Sequence, residues 1–132
     1  MARTGKPPLV HLDTHVVLWL HDGLTDKLSA RAVELIEAGS LRFSPIVELE
    51  IQYLREIGRV AGSVEGILSA LEREIGLKRS DIPFAEVVEH ARSLPWTRDP
   101  FDRLIVGEVL AAGALLVTSD ATIRKHVKKA QW

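Results

Sequence analysis

Two short apolar runs limit what this chain can fold into more than any other feature. Leu9–Leu12 and Ala114–Thr118 are each too short for an ordinary helix, and each leads within two residues to an aspartate, Asp13 and Asp120. Apolar runs of this length read as strands buried on both faces. Between them, helical segments alternate with further short runs. Thr14–His21 reads as a short helix, and Ser29 is the expected cap of a second that ends at Ala38 before Gly39. A strand at Leu41–Phe43 precedes a helix that Pro45 opens and that runs to about Ile57. Val64–Ile75 is a further helix, stopped by Gly76, and Leu77–Arg79 a third strand. Pro83 opens a helix to about Arg92, and Pro100 opens one to about Ala112, ended by Gly113. A last short helix follows Asp120, and Ala130–Trp132 reads as a terminal strand. This alternation predicts an α/β fold, a three-layer α/β/α sandwich with a central, mainly parallel sheet. Such sheets bind ligands at the carboxyl ends of their strands, where Asp13 and Asp120 fall.

With 132 residues, 46% of them hydrophobic, the chain suits one domain over residues 1–132, with residues 1–7 expected as a flexible head. The net charge of −1 excludes a polycation, so any affinity for nucleic acid must come from local patches or from metal. The absence of cysteine excludes disulfides and thiolate metal sites. The longest apolar stretch, Leu104–Val117, contains Glu108 and falls short of the ~20 residues of a membrane helix. The first residues lack the apolar core of a signal peptide. A cytoplasmic protein with no membrane partner is expected.

Four carboxylates stand out. Asp13 and Asp120 follow strands directly, although each also suits the N-cap of the next helix. At ~100° per residue, Ile46, Glu50, Tyr53 and Ile57 share one face of the helix from Pro45, flanked by Val47, Leu49 and Leu54. Glu50 thereby falls in an apolar stripe, whereas Glu48 shares the polar side with Gln52 and Arg55. A carboxylate facing a core is costly unless it is paired, protonated or metal-bound, so a buried ion pair to an arginine is the competing reading. Asp102 precedes Ile105, Val106 and Val109 by three, four and seven residues, which turns it toward the sheet. It also occupies the first helical turn, where the helix dipole favours an acid. Asp99, just before Pro100, is assigned mainly to capping. Acids gathered at one sheet edge repel one another and raise one another's pKa unless a cation is present. Oxygen-only ligands suit Mg²⁺ or Mn²⁺. Such a site can grip a phosphate and activate water against a phosphodiester.

Segments 12–19 (Leu-Asp-Thr-His-Val-Val-Leu-Trp), 44–51 (Ser-Pro-Ile-Val-Glu-Leu-Glu-Ile), 98–105 (Arg-Asp-Pro-Phe-Asp-Arg-Leu-Ile) and 116–120 (Leu-Val-Thr-Ser-Asp) carry a resemblance. In this order and spacing they are similar to the PIN-domain family, in particular its VapC-type toxin ribonucleases, from about residue 8 to the C-terminus. The resemblance places the family's four acidic positions on Asp13, Glu50, Asp102 and Asp120, as catalytic residues and metal ligands. It implies a PIN-like α/β/α sandwich, Mg²⁺- or Mn²⁺-dependent endoribonuclease activity on an RNA substrate, 5′-phosphate and 3′-hydroxyl product ends, a small antitoxin partner in a type II toxin-antitoxin pair, and a homodimer. One departure is Leu49, where many relatives carry tryptophan before the second acid. The antitoxin is expected on an exposed apolar surface between Pro45 and Ile75.

Among other residues, Arg103, Arg124 and Lys125 are candidate RNA contacts, the last two within a basic cluster with Lys128 and Lys129 that is equally readable as a solvated surface. Thr14, Asp99 and Thr118 are candidates to support the acids from behind. His11 and His15 straddle a strand end and do not form a zinc pair, although His15 is near enough to touch substrate. Trp19, Phe43 and Phe84 are expected in the core. Alternative functions are a PIN nuclease of RNA processing outside any toxin pair, a catalytically silent PIN-like scaffold, and a phosphoryl-accepting receiver domain. The receiver needs paired acids after the first strand, where this chain has Asp13-Thr14-His15.

Overall fold

The computed structural model describes residues 5–132. Of the expected head, residues 1–4 lie outside the described residues, and Gly5 to Pro7 are exposed and belong to no helix or strand. Five strands, β1 (Leu9–Leu12), β2 (Ser40–Phe43), β3 (Lys78–Arg79), β4 (Leu115–Val117) and β5 (Ala130–Gln131), form one sheet in the order β3-β2-β1-β4-β5. Every neighbouring pair is parallel. The helices are α1 (Thr14–His21), α2 (Ala30–Ala38), α3 (Pro45–Glu56), α4 (Val64–Ile75), α5 (Phe84–Ala91), α6 (Pro100–Ala112) and α7 (Ala121–His126), with a 3-10 turn at Thr25–Lys27. The expected α/β sandwich is therefore observed, with a sheet that is wholly parallel among the described residues.

Local chemistry explains the element ends. Ser29, Ser44 and Ser63 accept hydrogen bonds from the first-turn N–H groups of α2, α3 and α4. Prolines at the starts of α3 and α6 lack an N–H where none is needed. Gly76 and Gly113 end α4 and α6 at φ 72° and 65°, a left-handed turn that a Cβ would strain. The central strands β1 and β4 bury Val10, Leu12, Leu116 and Val117, which pack with Val47, Ile51, Ile67, Leu71, Ile105, Val106 and Val109 of the flanking helices. Leu68 and Leu71 both face this core.

Phe84 departs from expectation. It starts α5 and is 69% exposed, because the helix's buried face is carried by Val87 and Ala91, deeper along its length. With Leu49 it rims a largely apolar cleft whose wall includes Glu108. Glu108 is itself buried and accepts a hydrogen bond from Ser44 Oγ at 2.8 Å.

His11 is a second buried polar group. It lies on β1 with both ring nitrogens unpartnered, and burial, with the Arg42 guanidinium nearby, pushes its imidazole down to about 4. Between about 4 and about 6.5 the unfolded chain binds a proton that the fold refuses, so stability is lost as pH falls through that window. His11→Leu is expected to stabilise the protein by on the order of 1 kcal/mol at pH 7, because it removes an unsatisfied buried polar group at similar volume. The gain should grow at pH 5. Urea midpoints at the two pH values check this, and a lowered midpoint would count against it.

Candidate functional site

The sheet changes direction between β1 and β4. From β1 the chain builds outward through β2 and β3, then crosses to place β4 on β1's other side. Helices that part at such a point leave a crevice beyond the carboxyl ends of the two strands. Asp13 leaves β1 there, its N–H donating to Val117 O of β4 at 3.1 Å. Its carboxylate accepts from Thr14 N at 2.8 Å and from Thr118 Oγ1 at 2.5 Å. The Thr118 hydroxyl in turn accepts from Asp120 N at 3.1 Å. One fully buried threonine thus ties the acid after β1 to the segment after β4. Asp120 Oδ1 caps α7 by accepting from Thr122 N and Ile123 N, so the capping role and the place at the crevice coexist on one side chain.

Glu50 arrives from α3, but not by the helical face expected. The stripe of α3 that meets the core runs through Val47 and Ile51, with Leu54 half-buried. Tyr53 and Ile57 are 49% and 48% exposed, and Leu49 is 57% exposed. The face of Ile46, Glu50, Tyr53 and Ile57 is about a quarter turn from the core. Glu50 therefore sits on the rim of the buried face, half-buried, and accepts from Thr14 Oγ1 at 2.5 Å. Glu48 is on the polar side as expected, but it is not free there. It lies on the other rim and is gripped by Arg79 of β3 in a two-pronged pair, Nε to Oε2 at 2.5 Å and Nη2 to Oε1 at 2.9 Å. The arginine pair entertained for Glu50 belongs to Glu48.

Asp102 enters from the first turn of α6, with Ile105, Val106 and Val109 buried along the same helix as the spacing required. Asp99 caps that turn by accepting from Phe101 N and Asp102 N. The four acids Asp13, Glu50, Asp102 and Asp120, joined by Asp99, His15, Trp19 and Ser119, line one cleft of about 380 Å³. Trp19 was expected in the core. It is half-buried and packs against the core from its edge, lines the cleft, and lies beside the rings of His15 and Trp132. Neither Trp19 nor Ser119 is marked by sequence spacing, and only the shape of the cleft identifies them. Phe43 is buried as expected.

Electrostatics set the cleft apart. Burial pushes the Asp102 carboxyl up to about 7, with Asp99, Asp13, Asp120 and Glu50 adding repulsion. Burial also raises Asp13 and Glu50, against the opposing hydrogen bonds from Thr118 and Thr14. Among the described residues no three or more acids, histidines or cysteines stand close enough together to hold a metal ion between them as the side chains lie. The donors nonetheless fit a hard divalent cation. They are all oxygen, they repel one another, and Mg²⁺ keeps several water ligands rather than requiring a full protein shell.

The candidate basic residues divide. Arg103 turns away from the acids and donates to the carbonyls of Ala91 and Arg92 at the end of α5, at 3.1 and 3.2 Å. Its guanidinium is engaged in stabilising a helix C-terminus. Arg124 and Lys125 are exposed on α7, which begins at Asp120.

A family description, PIN domain, matches residues 10–129. No curated protein sequence matches the chain. Among solved structures, VapBC2 from Rickettsia felis bound to a DNA fragment from their promoter is similar at TM-score 0.70 and 18% identity, covering 93% of this chain and 97% of that one. DNA-bound VapBC from Salmonella typhimurium is similar at TM-score 0.58 and 17% identity, covering 94% and 96%. VapBC-1 from nontypeable Haemophilus influenzae is similar at TM-score 0.56 and 17% identity, again covering 94% and 96%. At these identities the likeness is one of fold.

Proposed function

Because the chain belongs to the PIN-domain family, we propose that it is a Mg²⁺- or Mn²⁺-dependent endoribonuclease of VapC type, the toxin of a type II pair, acting in the cytoplasm. The observation that carries this reading is the convergence of Asp13, Glu50, Asp102 and Asp120 on one cleft at the sheet's switch point. A bound divalent ion supplies positive charge for the phosphate and lowers the pKa of water. The protein's own part is to aim the carboxylates. Thr118 and the Thr14 N–H hold both oxygens of Asp13, and the Thr14 hydroxyl holds Glu50, so these two acids are oriented before any ligand arrives. Asp102, with its carboxyl raised to about 7 by burial and by the neighbouring acids, is the acid whose proton a bound cation would displace.

The antitoxin reading rests on a groove lined by Leu18, Leu24, Leu54, Val60 and Ile67, which shares His15 and Trp19 with the acid cleft. A partner segment with apolar anchors in this groove is led directly to the acids, where a basic side chain offsets their charge. The exposed Tyr53 and Ile57 share the face of α3 that carries Glu50, with exposed Leu49 at its edge, and together they suit a homodimer contact beside the cleft.

The direct test is incubation of the purified protein with labelled total RNA, with Mn²⁺ or with chelator, followed by sequencing of the ends. Cleavage confined to the metal sample and 5′-phosphate termini are expected. Cleavage that persists in chelator, or cyclic phosphate ends, would sink the reading.

A further inference from the structure

The rings of Trp96 and His126 lie 4.9 Å apart and within 6° of parallel. Trp96, in the turn before α6, is half-buried against the core, while His126, the last residue of α7, is exposed. One face of the imidazole therefore rests on the indole, while the His126 side chain as a whole stays exposed. Each half of the stack hangs from a segment that supplies the cleft. Trp96 precedes Asp99 by three residues, and His126 lies six residues beyond Asp120. At ~1.5 Å per residue the helix carries His126 about 9 Å from Asp120. Arg98, Arg124, Lys125 and Lys128 are exposed on these same two segments.

We propose that the Trp96–His126 stack is a platform on which an unpaired base of single-stranded RNA stacks as the strand passes out of the acid cleft, with the surrounding cations holding its phosphates. The proposal rests on the nuclease reading and adds to it where the substrate lies. Single strands are held by aromatic faces set among basic side chains, because every base offers a π-face and every linkage a negative charge. A platform of this kind also answers a difficulty of the cleft, whose acids repel the phosphate backbone they must approach. Base-paired RNA buries its base faces in its own stack, so the platform selects unpaired segments. The near-parallel geometry matters here, since an imidazole backed flat by an indole is held in one plane.

The test compares the parent protein with His126→Ala and His126→Phe. Binding of a fluorescein-labelled single-stranded RNA is followed by anisotropy in chelator, and kcat and KM are measured separately with Mn²⁺. His126→Ala is expected to weaken binding and raise KM about tenfold, within the range for one stacked base, with kcat within about twofold. His126→Phe keeps a stacking ring and should restore both values to within about twofold of the parent. Binding of a fully paired RNA of the same sequence should not distinguish the three proteins. His126→Ala that binds the single strand as tightly as the parent overturns the platform, and so does His126→Phe that is folded yet as weak as His126→Ala. If the parent cleaves RNA with Mn²⁺ and His126→Ala matches it in KM, the platform falls and the nuclease reading stands. If the parent neither binds nor cleaves single-stranded RNA, both fall.

Discussion

Glu50→Gln is expected to lower metal-dependent RNA cleavage by about a hundredfold or more, the scale of losing several kcal/mol of charge stabilisation at a metal centre. The fold should survive, because the amide oxygen of glutamine still accepts the hydrogen bond that Thr14 Oγ1 makes to Glu50. In chelator the variant should melt no lower than the parent, since one charge leaves a cluster whose members raise one another's pKa. Glu48→Gln is the matched control, two residues away on the same helix. It breaks the fork with Arg79, an exposed pair worth about 0.2–1 kcal/mol, and should leave cleavage nearly unchanged. Initial rates with Mn²⁺ and urea midpoints measure both effects. Loss of cleavage in Glu48→Gln with retention in Glu50→Gln would move the second acid of the site to Glu48.

The second large effect is on stability. Asp102→Asn is expected to raise the melting temperature of the metal-free protein at pH 8 by several degrees, with a gap that shrinks to a small fraction near pH 4. The Asp102 carboxyl titrates at about 7 in the fold, against about 3.8 when unperturbed. Between those values the folded state binds more protons than the unfolded one, so stability falls as pH rises through the window and stays lost above it. Asparagine has no proton to lose and escapes this. After allowance for solvent screening of a half-buried group the gain is about 1–2 kcal/mol. Asp13 and Glu50, also raised, act in the same direction, and His11, lowered to about 4, acts in the opposite one. The difference between parent and variant at each pH separates Asp102, together with its repulsion of Asp13 and Glu50, from the effect of His11. At pH 8, Mg²⁺ or Mn²⁺ at about a hundred times its Kd should stabilise the parent by about 2.7 kcal/mol, as for any ligand of the folded state alone. Scanning calorimetry in chelator and in saturating metal reads both effects, and superimposable parent curves would remove the case for a cation in the cleft.

The element boundaries were legible in the sequence because they are set by local chemistry. Ser29 caps α2, Pro45 and Pro100 open α3 and α6, and Gly76 and Gly113 close α4 and α6, each through contacts within one turn of chain. The parallel sheet followed from the alternation of short apolar runs with helices, and the family resemblance picked out Asp13, Glu50, Asp102 and Asp120 as candidates. Periodicity alone misread the phase of α3. That helix carries more apolar residues than one face can bury, so two stripes a quarter turn apart fit the pattern, and only the packing of Val47 and Ile51 against the core selects between them. The partnership of Glu48 with Arg79, the exposure of Phe84 and the place of Trp19 in the cleft lining have the same origin, since each depends on residues remote in sequence. The pairing of β1 with β4 is the most consequential of these. Over a hundred residues separate Asp13 from Thr118, and nothing local sets their contact. It is the strand order that brings the hydroxyl of one to the carboxylate of the other, and with them the two strand ends at which the acids meet.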